Sequence, residues 1–269
     1  MPELPEVDFC GRRLANWTAG SRVIDVEVFD ARSVRATRTD RPTNGLVEGE
    51  ARLREVVLNA PPSPPERHGK RLLWRFGDRA LLLHLGMTGR WTRLIAPHAK
   101  VRFHLENGTC ITFTDPRLLG GIVPTDLDDG PRLLREGLGP DALRDPLPSL
   151  PGKRPIKVAL MDQAVVAGLG NLHAAEALWR ARIDPRAPAG EVVGDRHARL
   201  ATAIRAQLDL ARTLLDGDEE IVYVEDAGAP NPFPLYQRAG HPCPECQTGI
   251  ERMMQAGRST YWCPGCQRA

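Results

Sequence analysis

The chain has 269 residues, 42% of them hydrophobic and 26% charged, with a formal net charge of +2. This composition is ordinary for a globular protein and excludes a disordered or fibrous chain, and the length suffices for one large or two ordinary domains. A charge this close to neutrality excludes a uniformly basic nucleic-acid binder, so any basic surface must be local. We see no secretory signal and no apolar run near the roughly 20 residues of a membrane helix, and therefore predict a cytoplasmic protein.

The first 125 residues predict one helix followed by strands. Residues 5 to about 16 have the pattern of a helix, with Glu3 and Glu6 near its positive end. Between about 20 and 125 the apolar residues alternate, and Gly77-Asp78 and Asn107-Gly108 are typical of hairpin turns. These features indicate a catalytic domain at 1–125, an antiparallel β-sandwich or barrel with the N-terminal helix packed on it.

The second half of the chain changes character. Residues 126–155 are rich in Pro, Gly and Asp and predict a linker with one short helix. Apolar residues from Val193 to Leu215 then recur at helical spacing, with Gly217 placed to end that helix. We predict a helical domain at 156–235 and a small appended unit at 236–269. The predicted fold class is α+β.

Four of the six cysteines lie in the last 27 residues. They form two Cys-x-x-Cys pairs, and four thiolates at this spacing can surround one Zn²⁺ tetrahedrally. The predicted ligands are Cys243, Cys246, Cys263 and Cys266. The alternative, reduced cysteines without metal, leaves the tail with no means of folding.

Two further features suggest contacts to phosphate. Arg258 lies near the tip of the hairpin between the cysteine pairs, and Gly168–Asn171 reads "GLGN" between two helices. Lys157 adds charge near this glycine turn. From the residues alone, a solvated arginine and a simple packing turn remain open alternatives.

The chain begins "MPELPEV". Removal of Met1 would leave Pro2 with a free secondary amine, and an α-amine has a reference pKa near 7.7–8.0, against about 10.4 for lysine, so far more of it is neutral at pH 7. A neutral amine can form a Schiff base with a sugar carbon, and Glu3 beside it can act as general acid or base. The alternative is that Pro2 and Glu3 only begin and cap a helix.

Together these motifs resemble the formamidopyrimidine-DNA glycosylase and endonuclease VIII family. The resemblance covers almost the whole chain and is carried by six segments in family order: "PELPEV" at 2–7, "HGKRLL" at 68–73, "HLGMTGRW" at 84–91, "TDPRLLGG" at 114–121, the stretch 156–185 that contains "GLGN", and the cysteine-rich stretch 236–267.

The resemblance implies a two-domain base-excision repair enzyme. It implies a β-sandwich with an N-terminal helix, a helix-two-turns-helix module and a zinc-finger hairpin, with a DNA-binding cleft. By similarity, Pro2 attacks C1′ of a damaged nucleotide flipped out of the duplex, Glu3 assists, and β,δ-elimination cuts the strand.

Similarity also implies the other site residues. The phosphate contacts map onto Lys70, Asn171 and Arg258, so the catalytic set is Pro2, Glu3, Lys70 and Arg258. The residues that fill the space left by the flipped base map onto Met87, Arg117 and Leu119. With Asn171 and Lys157, these three make up the predicted DNA-binding set.

The chain departs from the family pattern at several positions. Leu119 stands where formamidopyrimidine glycosylases usually carry an aromatic residue, and a leucine can wedge but cannot stack on a base. The segment 223–236 is about four residues shorter than in enzymes that cap 8-oxoguanine. The proline-rich stretch 61–65 looks like an insertion, and His173 replaces the usual tyrosine. The preferred lesion therefore stays open.

The sequence predicts a bifunctional DNA glycosylase/AP lyase with one structural Zn²⁺. Its expected partner is double-stranded DNA with damaged bases or abasic sites, and we expect a monomer with no membrane association, cytoplasmic and at the nucleoid when bound. The alternatives are an oxidised-pyrimidine glycosylase of the endonuclease VIII type and a non-catalytic binder of damaged DNA. A partner-recruiting zinc ribbon would leave the other five motifs unexplained.

Overall fold

A computed structural model describes residues 2–35, 47–58, 60–94, 96–216 and 220–268. Met1 and Gly217, which enter the sequence-based predictions, lie outside these described residues. The chain forms two compact units. Unit 1 contains residues 1–136 and 215–229, and unit 2 contains residues 137–214 and 230–269.

Unit 1 contains two four-stranded antiparallel sheets. The order of strands is β1-β6-β7-β5 in one sheet and β2-β3-β4-β8 in the other. The strands are β1 (Val23–Val28), β2 (Glu66–His68), β3 (Arg71–Phe76), β4 (Arg79–His84), β5 (Arg90–Thr92), β6 (Ala99–Leu105), β7 (Cys110–Thr114) and β8 (Gly121–Asp126). The predicted antiparallel sandwich is confirmed.

Aromatic side chains from both sheets form the centre of the unit 1 core. Trp74 of β3 lies 5.9 Å from Trp91 of β5, and Trp91 lies 5.3 Å from Phe103 and 5.5 Å from Phe113, measured between ring centroids. All four are at most 3% exposed. Tilted and edge-on pairs at these distances are the favoured geometry for aromatic rings, so the two sheets are joined by specific contacts.

Both glycine-containing hairpins form. Phe76 pairs with Arg79 across Gly77-Asp78, and Gly77 has φ +67°, as a two-residue turn with glycine first requires. The Asn107-Gly108 hairpin is longer than the dipeptide suggests, because Leu105 is bonded to Thr109 and only Gly108 has positive φ. The Asn107 side chain instead accepts hydrogen bonds from Thr109, which closes a wider turn.

Three helices accompany the sandwich. Helix α1 (Leu4–Trp17) follows the predicted bounds closely, and α3 (Gly130–Arg135) is the single short helix predicted for 126–155. Helix α2 (Val47–Val57) lies where strands were predicted. Its last turn buries Val56 and Val57 in the sandwich core. Valines favour strands in isolation, so tertiary packing decides this segment against its local propensity.

Unit 2 begins with helices. They are α4 (Ile156–Met161), α5 (Asn171–Arg180) and α6 (Gly194–Leu215). The glycine turn at 168–170 lies between α4 and α5, as predicted. Leu200, Ile204, Leu208 and Ala211 are buried along one face of α6, whereas Val193 precedes the helix and is 63% exposed. Helical periodicity therefore predicted the buried face but extended it one residue too far.

The end of unit 2 is a two-stranded hairpin of β9 (Glu251–Gln255) and β10 (Arg258–Trp262). Ala256 and Gly257 both have positive φ, 47° and 72°, which is the conformation of the tight turn that matches strand twist. Thus the hairpin presents Arg258 at the first position of its second strand. Among the described residues, no helix is long and apolar enough to cross a membrane.

The segment 215–229 returns to unit 1 after the helices. The Arg90 guanidinium donates to the carbonyl of Ile221 at 3.2 Å and pairs with Asp226 at 3.0 Å. The same guanidinium carbon lies 4.5 Å from the centre of the Tyr223 ring. Tyr223 is buried, and its hydroxyl donates to the carbonyl of Gly89 at 2.5 Å. Burial also raises the pKa of the Tyr223 hydroxyl well above its ordinary value.

We expect Tyr223→Phe to lower the free energy of unfolding by about 1–3 kcal/mol, because the buried Gly89 carbonyl loses its donor. Urea unfolding followed by circular dichroism measures this change. Val222→Ala is the matched control, since that neighbouring side chain is 52% exposed and should be nearly neutral. Equal stability of Tyr223→Phe and wild type would show that the hydroxyl does not anchor the segment.

Candidate active site and nucleic-acid interface

The first residues of the chain are held in a fixed conformation. Glu3 caps α1, and its side chain accepts a hydrogen bond from the backbone of Glu6. The Glu6 carboxylate in turn accepts from the backbone N–H of Glu3 at 2.8 Å. Pro2 is buried and Glu3 is 2% exposed. This reciprocal pair satisfies two backbone donors of the first turn and leaves the peptide between Pro2 and Glu3 little freedom.

Lys70 lies in the two-residue turn between β2 and β3. His68 pairs with Arg71 across this turn, and Gly69 has φ +54°. Arg67, 3% exposed, donates to the carbonyl of Gly69 at 3.0 Å and to Asp8 of α1 at 3.3 Å. One buried arginine therefore joins the Lys70 turn to α1, the helix that Glu3 caps.

The structure brings Met87 close to the loop that carries Arg117 and Leu119. Met87 lies in the loop 85–89, and a Cβ on Gly86 would stand 2.4 Å from the backbone of Leu119 and Gly120. Thr88 donates to the Asp115 carboxylate at 2.5 Å. Only glycine permits so close an approach at φ +61°, so Gly86 is required where the two loops touch.

Arg117 and Leu119 are exposed on the loop between β7 and β8. Leu119 is 41% exposed, and Leu118 between them has φ +52°. A left-handed conformation is uncommon for leucine and persists only where the surroundings impose it. The conformation of Leu118 therefore distinguishes this loop from an ordinary turn. The Arg117 and Leu119 side chains on either side of Leu118 are exposed at the surface of unit 1.

Asn171 and Arg258 are neighbours in unit 2. Asn171 is the first residue of α5, and its side-chain amide donates to the carbonyl of Ser259 at 2.9 Å. Ser259 directly follows Arg258, which is exposed at the start of β10. The helix start and the hairpin tip, which are 87 residues apart in sequence, are therefore joined by a side-chain hydrogen bond.

Lys157 is fully buried. Its ammonium donates to the side-chain oxygen of Asn171 at 2.6 Å. A buried lysine costs free energy unless its charge is hydrogen-bonded, and this bond fixes which way the Asn171 amide faces. The geometry favours a role in orienting Asn171 over direct contact with DNA.

The four predicted cysteines converge on one point. Their sulfur atoms all lie within 4.8 Å of one another, with 3.8 Å between Cys243 and Cys266 and 3.4 Å between Cys246 and Cys263. Tetrahedral zinc with bonds of about 2.3 Å separates its sulfurs by about 3.8 Å. The cluster fits one structural Zn²⁺, and with four protein ligands it has no open position for substrate.

Buried apolar side chains connect the cysteine cluster to helix α5. Cys243 and Cys263 pack with Ala175, Trp179 and Ile250 in one buried cluster. A hydrogen bond from the Thr248 side chain is the largest cause that lowers the pKa of Cys246 to about 6, which favours its thiolate. The cysteine cluster is therefore in direct contact with α5 through Ala175 and Trp179.

Glu176 is a site residue that sequence reasoning missed. It is fully buried in α5, and one carboxylate oxygen accepts the backbone N–H groups of Leu235 and Tyr236 at 2.9 and 2.8 Å. Its other oxygen has no hydrogen-bond partner among the described residues. Burial is the largest cause that raises the pKa of Glu176. Nothing in the local sequence distinguishes it from a surface glutamate on an amphipathic helix.

His173 is buried one turn before Glu176. Its Nδ1 lies 3.2 Å from the side-chain nitrogen of Gln207, and its ring lies 5.6 Å from the ring of Phe233, nearly edge-on. The histidine at this position therefore belongs to the packing between α5, α6 and the segment that leads to the hairpin.

We expect chelation of zinc to unfold the hairpin 240–268, because metal-binding energy supplies the folding energy of such units. The measurement is zinc release with a colorimetric chelator alongside tryptophan fluorescence, to which Trp179 and Trp262 would respond. Cys263→Ser should lose the metal, whereas Cys110→Ser, outside the cluster, should retain one zinc per chain. Full zinc content in Cys263→Ser would contradict the assigned ligands.

Glu176 should make stability depend on pH. When folding raises the pKa of a carboxyl group, its contribution to stability is fully present at pH values below the unfolded-state pKa. This contribution is lost as the pH rises through the folded-state pKa. We expect Glu176→Gln, which cannot ionise, to gain stability relative to wild type as pH rises from about 4.3. Urea unfolding of zinc-saturated protein at several pH values measures the difference.

Glu176→Ala is the control for this prediction. It removes the acceptor of two buried N–H groups and should be destabilising at every pH, by about 1–3 kcal/mol. Parallel pH profiles for wild type and Glu176→Gln would show that the carboxyl does not titrate between the folded and unfolded states as expected.

Three family models match successive parts of the chain. The formamidopyrimidine-DNA glycosylase N-terminal domain matches residues 1–122, and the formamidopyrimidine-DNA glycosylase H2TH domain matches residues 131–218. The zinc finger found in FPG and IleRS matches residues 240–269. These ranges include every site residue described above.

Relatives and solved structures agree along the full length. The formamidopyrimidine-DNA glycosylase of Acidiphilium cryptum is 39% identical over 290 residues, covering 100% of both chains. The crystal structure of MutM (Fpg) from Thermus thermophilus is 33% identical, with a TM-score of 0.79, and covers 99% of this chain and 98% of that one.

A Lactococcus lactis Fpg complex with DNA containing an abasic site is also similar. It is 25% identical, with a TM-score of 0.83 and complete coverage of both chains. Similar structures of MutM and of the same Lactococcus protein contain carbocyclic 8-oxo-G, N7-benzyl-Fapy-dG or an oxidised pyrimidine in their DNA. The chain belongs to the formamidopyrimidine-DNA glycosylase family.

Proposed function

We propose that this protein is a DNA glycosylase and AP lyase that excises oxidised or ring-opened bases and cuts the strand through a Schiff base on Pro2. The observation that carries the proposal is the fixed start of the chain. Pro2 directly precedes Glu3, both are buried, and the capping pair with Glu6 holds the backbone between them. If Pro2 and Glu3 only began a helix, proline would not be needed at position 2. Similarity to the family along the whole chain would not be expected either.

The chemistry requires a chain from which Met1 has been removed, since only then is the Pro2 nitrogen an amine. That nitrogen attacks C1′ as the bond from C1′ to the base breaks, and the base leaves with a proton. The attached nitrogen then loses its proton, the bond from C1′ to the ring oxygen O4′ breaks as O4′ takes up a proton, and a cationic iminium forms between Pro2 and the opened sugar. This iminium accepts electrons as a proton is removed from C2′ and the phosphates leave. Elimination at C3′ and then at C5′ leaves a one-nucleotide gap, and hydrolysis of the iminium frees the amine.

Glu3 is the proposed general acid and base. Its carboxylate is buried beside Pro2 and is bonded to the backbone of Glu6, so its position is set by the first turn of α1. A carboxyl group fixed next to the reacting carbon can protonate the sugar ring oxygen and later remove a proton for elimination. The same hydrogen bonds that start the helix therefore orient the acid.

Lys70, Asn171 and Arg258 are the proposed phosphate contacts. The Lys70 turn is tied to α1 through Arg67, and the Asn171 amide is held between Lys157 and Ser259. Contacts to phosphate set the register of the protein on the duplex without reading the base sequence, which suits a search for rare damage. We assign Lys157 to this set as a residue that orients Asn171.

Met87, Arg117 and Leu119 are proposed to occupy the space left by the flipped base. Their loops touch through Gly86 and through the bond from Thr88 to Asp115. An apolar wedge offsets part of the lost stacking energy, and an arginine can donate to the unpaired base on the other strand. With leucine at 119, this wedge acts by filling volume rather than by stacking.

Ring-opened purines are the proposed main substrates, because the family's name and the related complex with N7-benzyl-Fapy-dG concern these lesions. An oxidised pyrimidine is also present in a related complex, so pyrimidine lesions belong in the test. We further propose that the protein acts as a monomer in the bacterial cytoplasm, on nucleoid DNA, since damaged chromosomal DNA is its expected partner.

Borohydride trapping tests the proposal. Wild-type protein shown by mass spectrometry to lack Met1 should form a covalent complex with duplexes containing an abasic site or a formamidopyrimidine. Pro2→Ala should trap far more slowly, because its primary amine forms a neutral imine rather than the cationic iminium that proline must form. Glu3→Gln should retain folding and DNA binding but slow excision by at least about 100-fold.

Arg268→Ala is the control, because it lies in the exposed tail and should trap like wild type. Parallel duplexes with 8-oxoguanine and with an oxidised pyrimidine identify the preferred lesion. If Met1-free wild type binds abasic DNA and never traps, the lyase assignment is wrong and the protein is a binder of damaged DNA.

A further inference from the structure

Arg35 is a buried arginine outside every site described above. It follows β1 and is 8% exposed. Its backbone N–H donates to the carbonyl of Ile122 at 2.9 Å, and Val34 before it pairs with Ile122 in a parallel bridge. These bonds place Arg35 beside the start of β8, directly after the loop that carries Arg117 and Leu119.

The Arg35 side chain donates hydrogen bonds to carbonyl groups of that loop. One guanidinium nitrogen donates to the carbonyl of Gly120 at 2.7 Å and to that of Leu118 at 3.3 Å. These two carbonyls belong to the residues on either side of Leu119. A Cβ at Gly121 would stand 2.8 Å from the Arg35 side chain, so the glycine gives the arginine room to lie against the backbone.

The Asp115 carboxylate accepts hydrogen bonds from backbone N–H groups of the same loop. Its carboxylate accepts from the backbone of Gly120 at 2.6 Å and of Arg117 at 3.2 Å. It also accepts from Thr88 in the Met87 loop. The Arg35 guanidinium therefore binds carbonyl groups within residues 117–120, and the Asp115 carboxylate binds N–H groups of the same segment. Such charge-assisted bonds are stronger than neutral ones.

This arrangement matters because the side chains at 117 and 119 are exposed. Packing cannot fix them, and Leu118 between them has the uncommon φ of +52°. The position of both side chains therefore depends on how firmly the backbone is held. A wedge that must be ordered at the moment of binding loses affinity to the entropy of ordering.

We infer that Arg35 is a positioning residue for the wedge, which sets how well Arg117 and Leu119 fill the space opposite a flipped base. This inference rests on the proposed function. Arg35 affects the rate of excision from duplex DNA, where the base opposite the flipped nucleotide is left unpaired and must be accommodated. It does not act on a single-stranded abasic site, where there is no opposite strand to fill against.

The test compares Arg35→Ala, Arg35→Lys and Arg32→Ala. Lysine can still donate to both carbonyls, although without the fixed fork of the guanidinium, so it should rescue partly. Arg32 is the matched control, because it is exposed three residues earlier and pairs with Asp30, away from the loop. Thermal unfolding with each preparation shows whether the variants are folded.

Three readouts separate positioning from general damage. Single-turnover excision from a duplex should fall by about 10- to 100-fold in Arg35→Ala, with an intermediate loss in Arg35→Lys. Any difference in wild-type rate between duplexes with dC and with dA opposite the lesion should shrink in Arg35→Ala. Borohydride trapping on single-stranded abasic DNA should match wild type. Arg32→Ala should behave as wild type in all three.

A binding readout keeps this inference separable from the proposed function. 2-Aminopurine opposite a tetrahydrofuran abasic analogue should change fluorescence when wild type binds, and the change should be lost in Arg35→Ala. If wild type never traps but this difference remains, the lyase proposal fails and the role of Arg35 stands. Equal loss of single-stranded trapping and duplex excision in folded Arg35→Lys, or an unchanged duplex rate in folded Arg35→Ala, would overturn it.

Discussion

The hydrogen-bonded pair at the start of α1 is the constraint on which the proposed chemistry depends. Glu3 and Glu6 each accept a backbone N–H from the other, while Leu4, Val7 and Leu14 of the same helix are buried. A chain terminus is ordinarily the most mobile part of a protein. Here the capping pair and the buried helix face hold the second residue in place, so the amine that removal of Met1 would expose has a defined position, as the proposed chemistry requires.

Several buried charges among the described residues bind backbone groups of loops and helix ends. Arg71 donates to the carbonyls of Leu133 and Glu136, in the same way that Arg67 and Arg35 donate to loop carbonyls in unit 1. Glu176 accepts two backbone N–H groups in unit 2. Loops carry the residues proposed to touch DNA, and a charge-assisted bond fixes a loop backbone without using its exposed side chains.

In unit 2, the cysteine cluster and the start of α5 are both connected to the hairpin that carries Arg258. The cysteine cluster packs on α5 through Trp179, and Asn171 at the start of that helix is bonded to Ser259 in the hairpin. Loss of zinc should therefore displace Arg258 relative to Asn171 as well as unfold the hairpin. In this way a metal with no open coordination position would still affect the proposed contacts to phosphate.

The sequence by itself determined the sandwich, the N-terminal helix, the four-cysteine cluster and the family, because these depend on alternation, turn residues and short fixed spacings. Tertiary structure decided α2, whose valines favour strands but pack as a helix on the sandwich core. It also decided the partners of Arg35, Asp115, Lys157 and Glu176. Charged residues look alike in a sequence, and only the fold shows which of them are buried and which backbone groups they meet, since those groups lie up to 85 residues away.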